Sequence, residues 1–164
     1  MLDLIKRRRS IRKYTPEPLS EAKVRELLEA AMAAPSANNS QPWHFVVVRD
    51  KETKSLLAKT HRWSGMIAQA PLAIVVCGEK TRSLHWVEDT SAATENLLLA
   101  AEALGLGGVW IGIHPDRARE AKVREALGIP EKVGVLCLIA VGRPAEHKPP
   151  RNNYNEARIH HDRW

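Results

Sequence analysis

Apolar residues recur at helical spacing at Val24, Leu27, Leu28, Ala31 and Met32, a period that lines one face of a helix. Ser20 stands at the capping position and Pro35 closes the segment. Residues 2–9 read as a short helix before it. Trp43–Arg49 is β-rich and reads as a strand, Lys51–Thr60 as a helix, and Leu72–Cys77, behind Pro71, as a short apolar strand. A longer helix is expected from about His85 to Leu104. Its second half is apolar nearly all round, so it should lie buried in the middle of the fold, with Gly105 as its stop. Val109–Ile113 reads as a strand, Asp116–Leu127 as a helix ended by Gly128 and Pro130, and Val133–Val141 as the last strand. The remainder, residues 142–164, is polar yet keeps Tyr154, Ile159 and Trp164. Such spaced apolar residues predict that this tail packs on its own domain or on a partner chain.

This order of elements predicts a single α+β domain over residues 1–164, a sandwich around a small sheet. The alternation of helix and strand also permits parallel pairs, so a doubly wound α/β sheet is the competing architecture. With 164 residues, 44% of them hydrophobic and 27% charged, the chain can build one sizeable core and is not disordered by composition.

The formal net charge is +6 and the pI about 9.6. Such a balance suits a polyanion, an anionic membrane or a phosphate-bearing small molecule. The basic residues gather at Lys6–Lys13 and again between Lys148 and Arg163. No apolar run reaches the roughly 18 residues of a membrane helix, and the N-terminus lacks the basic-then-apolar order of a secretory signal. Cys77 and Cys137 each sit in a β-like apolar run and read as buried free thiols. Together these features predict a cytoplasmic protein.

Four segments carry candidate chemistry. Arg7-Arg8-Arg9-Ser10-Ile11-Arg12-Lys13 can grip a phosphate through charge-assisted hydrogen bonds. A bend after a short helix would gather Arg8, Ser10 and Arg12 around one anion. The same run also fits a solvated basic face or a nucleic-acid patch. The loop Pro35-Ser36-Ala37-Asn38-Asn39-Ser40-Gln41-Pro42-Trp43 suits a planar polar heterocycle, or is an ordinary helix-to-strand turn. Gly105-Leu106-Gly107-Gly108-Val109-Trp110-Ile111-Gly112 is not a dinucleotide fingerprint, because Trp110 replaces the third glycine and the glycines follow a helix instead of opening one. These glycines fit close approach to something flat or tightly packed. Lys148 and Arg151 could complete an anion site with the N-terminal arginines, or be solvated linker residues.

The seven histidines show no metal-ligand spacing, and no metal site is expected. There is no GxSxG elbow, and neither cysteine has an activating neighbourhood. An enzyme of this composition would rely on a bound cofactor.

Arg8-Arg9-Ser10-Ile11-Arg12, the loop from Pro35 to Trp43, Ala92–Ala101, Gly105–Gly112, Tyr154-Asn155-Glu156 and the final Trp164, in this order, resemble the nitroreductase family of FMN-dependent oxidoreductases. The resemblance covers nearly the whole chain. It implies an α+β sandwich with a central mixed sheet flanked by helices, in an intertwined homodimer whose two FMN sites lie at the interface. Carried over by position, Arg8, Arg9, Ser10 and Arg12 would hold the phosphate and ribityl chain. Ser36, Ala37, Asn38, Asn39 and Gln41 would approach the flavin from the neighbouring chain. The backbone of Gly112 and Ile113 would lie near the reactive N5 edge. A basic tail residue would close the phosphate site. Asn153 stands where the family often has arginine, which leaves Arg151 or Lys148 for that part.

The resemblance further implies hydride transfer from NAD(P)H through flavin N5 to a nitroaromatic, quinone or similar conjugated acceptor, with no catalytic side chain, no nucleic acid and no membrane. The rival readings are a basic nucleic-acid-binding module and a flavin-binding sensor or carrier without turnover.

Overall fold

A computed structural model describes all 164 residues. Helix α1 spans Leu2–Arg7 and α2 spans Glu21–Met32. The Ser20 hydroxyl accepts from the Lys23 N–H at 3.4 Å, the cap that the sequence pattern requires. Strand β1 is Trp43–Val48, α3 is Lys51–Leu57, β2 is Leu72–Glu79, α4 is Trp86–Ala103, β3 is Gly107–Gly112, α5 is Arg117–Leu127 and β4 is Val133–Gly142. The Asp50 and Asp116 carboxylates cap α3 and α5 by accepting from Thr53 and Arg119 N–H groups at 2.7 and 3.0 Å. Gly105, at φ +70°, ends α4 in the left-handed conformation glycine tolerates best.

The strands form one sheet in the order β1-β2-β4-β3. Every neighbouring pair is antiparallel, where a mixed sheet was expected. The parallel pairing within the chain is one isolated bridge between Ser10 and Gly108. The mixed sheet was implied by the resemblance and allowed by the alternation of helix and strand, and the near-continuous apolar runs of β2 and β4 do not decide between the two directions. That pattern reports burial on both faces, which parallel sheets usually have, and here an antiparallel sheet has it too. Leu72, Ile74, Val76, Ile139 and Val141 pack with α2 and α4 on one face. Ala73, Val75, Leu138 and Ala140 pack with Leu57 of α3, Ile67 and Val123 of α5 on the other. Strand β4 is buried along all ten residues.

Cys77 and Cys137 belong to opposite faces of this sheet and are free. Burial pushes the Cys77 thiol up to about 12 and raises Cys137 as well. Both are inert packing groups at neutral pH.

Helix α4 buries Ala93, Thr94, Leu97, Leu98 and Ala101 against the sheet and α2. Its outer side is only half-covered, at Ala92, Leu99 and Ala100, so within one protomer it is not surrounded. The tail divides in two. Residues 143–151 bind back to the N-terminal segment: Thr15 N–H donates to Arg143 O at 3.0 Å, Ala145 N–H to Lys13 O at 2.9 Å and Arg151 N–H to Lys6 O at 2.8 Å. From Arg151 to Trp164 every residue is exposed, so this stretch does not pack on its own domain.

Candidate cofactor site

The N-terminal segment runs beside the outer edge of β3. Ile11 N–H donates to Gly108 O at 3.0 Å, and Ile11 is buried against Gly107. A Cβ on Gly107 would meet the Ile11 side chain at 2.7 Å, so this glycine serves close packing. Gly112, at the other end of the strand, is exposed and a Cβ there would meet nothing. Its backbone is open to an approaching group, and it is the one glycine within β3 that faces space.

The arginines divide between two clefts. Arg9 lines a cavity of about 210 Å³ with Arg7, Glu102, Glu146, His147 and Lys148. Arg12 lines a larger one of about 490 Å³ with His61, Trp63, Met66, Trp110 and Gly112. In a segment bridged to a strand edge, successive side chains point to opposite sides, which separates Arg9 from Arg12. Arg8 is drawn onto α4 by an ion pair with Glu95 at 3.1 Å, as Arg7 is by Glu102 at 3.5 Å.

Several of the cationic groups are already engaged. Lys148 Nζ donates to Ser10 O at 2.5 Å and lies 3.4 Å from Glu146. Glu146 also accepts from the Arg12 N–H at 2.5 Å. That backbone donor, followed by Lys148, holds the Glu146 carboxyl below the usual carboxylate range. Lys148 thus fastens the tail to the N-terminal segment. Arg9 donates from Nη1 to Pro149 O, while its Nε is buried with no partner. The Arg12 guanidinium has only a 3.5 Å bond to Ser10 O. Arg151 is exposed, and its backbone alone is tied down. Arg9 Nε and the Arg12 guanidinium are therefore donors still able to take an anion, and the chain's residues fit an anionic, phosphate-bearing group.

Ile113 is fully buried and its N–H donates to Leu136 O at 3.0 Å. Of the two residues expected beside the reactive edge, Gly112 has accessible backbone and Ile113 belongs to the core. The Arg12 cleft also contains residues that sequence reasoning passed over. His61 Nδ1 accepts from the Trp63 N–H at 2.9 Å. Burial, with Arg119 and Arg62 nearby, lowers the imidazole below its usual range, so His61 is neutral at pH 7. Trp63 is exposed, with the Arg62 guanidinium 5.0 Å from its ring. Aromatic residues just after α3 were the available signal.

The Ser36–Gln41 loop is elsewhere. It lines neither cleft and is fastened to the start of α4, where Asp89 accepts from the Ala37 N–H at 2.8 Å. Asp89 and Glu95 are six residues apart on that helix, about 9 Å along its axis. The loop and the arginines are thus held at different stations of one helix. Asn38, Asn39 and Gln41 have φ values of 52°, 53° and 48°, a region other residues than glycine seldom enter.

Comparison with known proteins agrees with this architecture. The sequence pattern of the nitroreductase family matches residues 5–63 and 53–143. The chain belongs to the nitroreductase family. A candidate NADH dehydrogenase/NAD(P)H nitroreductase of Archaeoglobus fulgidus is 43% identical over 170 residues, covering 99% of this chain and 98% of the relative. Among solved structures, an FMN-dependent nitroreductase of Clostridium difficile superposes with a TM-score of 0.95 at 33% identity, over the whole of both chains. A candidate nitroreductase of Desulfovibrio desulfuricans, solved in complex with FMN, gives 0.82 at 33% identity, covering 95% of this chain and 92% of that one. As a nitroreductase-family member, the chain is assigned to the oxidoreductases, and its sandwich is the family fold.

Proposed function

We propose that the protein is an FMN-dependent NAD(P)H oxidoreductase that acts as a homodimer and reduces nitroaromatic, quinone or similarly conjugated acceptors. The observation that carries this reading is the cleft lined both by Arg12, whose guanidinium is sparsely bonded, and by Gly112, whose backbone is open, in a chain of the nitroreductase family. FMN, when bound, supplies the acceptance of hydride from NAD(P)H and its delivery to the acceptor.

The chain's own residues do the positioning. Arg8, Ser10 and Arg12 supply charge and hydrogen bonds for the phosphate end. Arg9, on the other side of the segment, secures Pro149 and keeps one buried donor spare. Arg151 completes the anion site from the tail in preference to Lys148, whose ammonium is held by Ser10 and Glu146, and in preference to Asn153, which has no charge. Gly112 leaves room for a flat ring to lie against β3. Ser36, Ala37, Asn38, Asn39 and Gln41 serve the cleft of a second copy. Their distance from the arginines of their own chain favours this, as do the half-covered outer side of α4 and the exposed Leu2, Ile5, Tyr154, Ile159 and Trp164, which a second copy would cover.

The test is a visible absorption spectrum of freshly purified protein, with the released chromophore identified and counted, followed by NAD(P)H oxidation with a nitroaromatic and a quinone. About one FMN per chain and acceptor-dependent turnover are expected. Colourless protein that takes up no added FMN overturns the reading. Bound FMN without turnover on any acceptor returns the carrier hypothesis. Arg12→Ala, and Arg8→Ala with Ser10→Ala, should each weaken FMN retention.

A further inference from the structure

Asp89 is a carboxylate buried to 5% exposure in the first turn of α4, with no cation within ion-pair distance. Burying such a charge is costly unless hydrogen bonds replace its water. Here they do. Oδ1 accepts from the Ala37 N–H at 2.8 Å, and Oδ2 from the Ser83 hydroxyl at 2.7 Å and more weakly from the Ser40 hydroxyl at 3.5 Å. Ser83 in turn accepts from the His85 N–H at 3.0 Å, which fixes its hydroxyl toward Asp89. Two of the three donors to the carboxylate come from the Ser36–Gln41 loop.

The loop needs an external hold. Three non-glycine residues, Asn38, Asn39 and Gln41, are held at positive φ, each at a conformational cost. Bonds inside the loop close the turn without tying it to the rest of the fold: Asn39 N–H to Ser36 O and Ser40 N–H to Ala37 O, both at 3.0 Å, Gln41 N–H to the Ser36 hydroxyl at 3.0 Å and Gln41 Nε2 to Asn39 Oδ1 at 2.9 Å. Arg82 Nε adds a bond to Ser40 O at 2.5 Å from outside. Asp89 grips both ends of the short turn Ala37–Asn39, at Ala37 before it and Ser40 after it. The side chains of Asn38, Asn39 and Gln41 are left exposed, those of Asn39 and Gln41 bonded to each other.

We infer that Asp89 is a positioning residue for cofactor binding: its carboxylate clamps Ala37 and Ser40 so that Asn38, Asn39 and Gln41 are presented, preorganised, to the flavin of a second copy. This rests on the FMN reading above and adds to it a residue that never touches the flavin. An amide in place of the carboxylate keeps the size and the acceptor for Ala37, but it offers an NH₂ where two hydroxyls now donate.

Asp89→Asn tests the idea in the full-length protein with two readouts. In the cofactor-free protein, hydrogen exchange at residues 37–41 should quicken while β2 and β4 keep their protection. With FMN added, the dissociation constant should rise about tenfold, as expected for the loss of one hydrogen bond to a charged group. At saturating FMN the visible circular dichroism of the bound flavin should change, a signature that a change in stability alone would not produce. Asp89→Glu, which restores the charge, should recover part of the affinity. The clamp is overturned if Asp89→Asn binds FMN as wild type does with an unchanged flavin signal, or if exchange quickens equally across the sheet. Wild-type protein that binds no FMN overturns the FMN reading and the clamp together; wild type that binds while Asp89→Asn is indifferent overturns the clamp alone.

Discussion

Strand β4 and the tail that follows it are joined at Gly142 and could hardly differ more. The strand is buried along its whole length, covered on both faces and paired on both edges. The last fourteen residues are exposed without exception, Trp164 completely. Both stretches carry large apolar side chains. In β4 they are surrounded by their own chain, whereas the tail's Tyr154, Ile159 and Trp164 are all exposed, with Tyr154 bonded to the neighbouring Glu156 and Trp164 stacked on His160. Hydrophobic content therefore does not say whether a segment's own chain will cover it.

Mutations can sharpen that contrast. Ile139→Ala should have the largest effect on the protomer, about 2–5 kcal/mol, because the site is fully buried and a cavity would remain; denaturant unfolding measures it. Gly107→Ala should come next, at about 1–3 kcal/mol of overpacking against Ile11. Gly112→Ala, on the same strand, should change stability by less than about 0.5 kcal/mol and weaken FMN retention instead. A pair of equal losses in stability would refute the distinction between the two ends of β3.

The junction between strand and tail should respond to acid. The folded state lowers the Glu146 carboxyl below its ordinary value of 4.5. Its contribution is therefore present above that pH and lost as pH falls through the folded value. The loss should stay below about 1 kcal/mol for a half-buried pair at the surface, and Glu146→Gln should abolish that part of the acid dependence. Removing residues 152–164 should have the smallest effect on the protomer's own fold, leaving the far-ultraviolet circular dichroism unchanged. On the proposed homodimer, it should nevertheless shift the sedimentation mass from dimer to monomer. A truncated protein that remains dimeric would show that the tail is not the occupant of the partner's surface.

Local signals were readable because they act over a few residues. Ser20, Asp116 and Gly105 mark helix ends through caps and a left-handed turn that need no tertiary context. The arginine run and the polar loop stood out by composition. Strand direction did not, because two-sided burial looks the same in parallel and antiparallel sheets. Nor did the division of Arg9 from Arg12, which depends on the bridge between Ser10 and Gly108, or the loss of the Ile113 N–H to Leu136. Asp89 resembled any acidic residue in a first helical turn. Its partners are 49 and 52 residues away for the loop, beyond any local pattern.

The strand order β1-β2-β4-β3 also has a consequence for the chain as it is made. Helix α4 carries the backbone past a vacant lane to lay down β3, and the lane is filled only by β4, the last strand in sequence. Until residue 142 has been synthesised, β3 has no strand partner and β2 has one open edge. Co-translational closure of the sheet must therefore be late and governed by non-local pairing. A ribosome paused anywhere between Gly112 and Val133 would display an unfinished sheet to chaperones and proteases, and arrest-peptide force profiles should register closure only after β4 has cleared the exit tunnel.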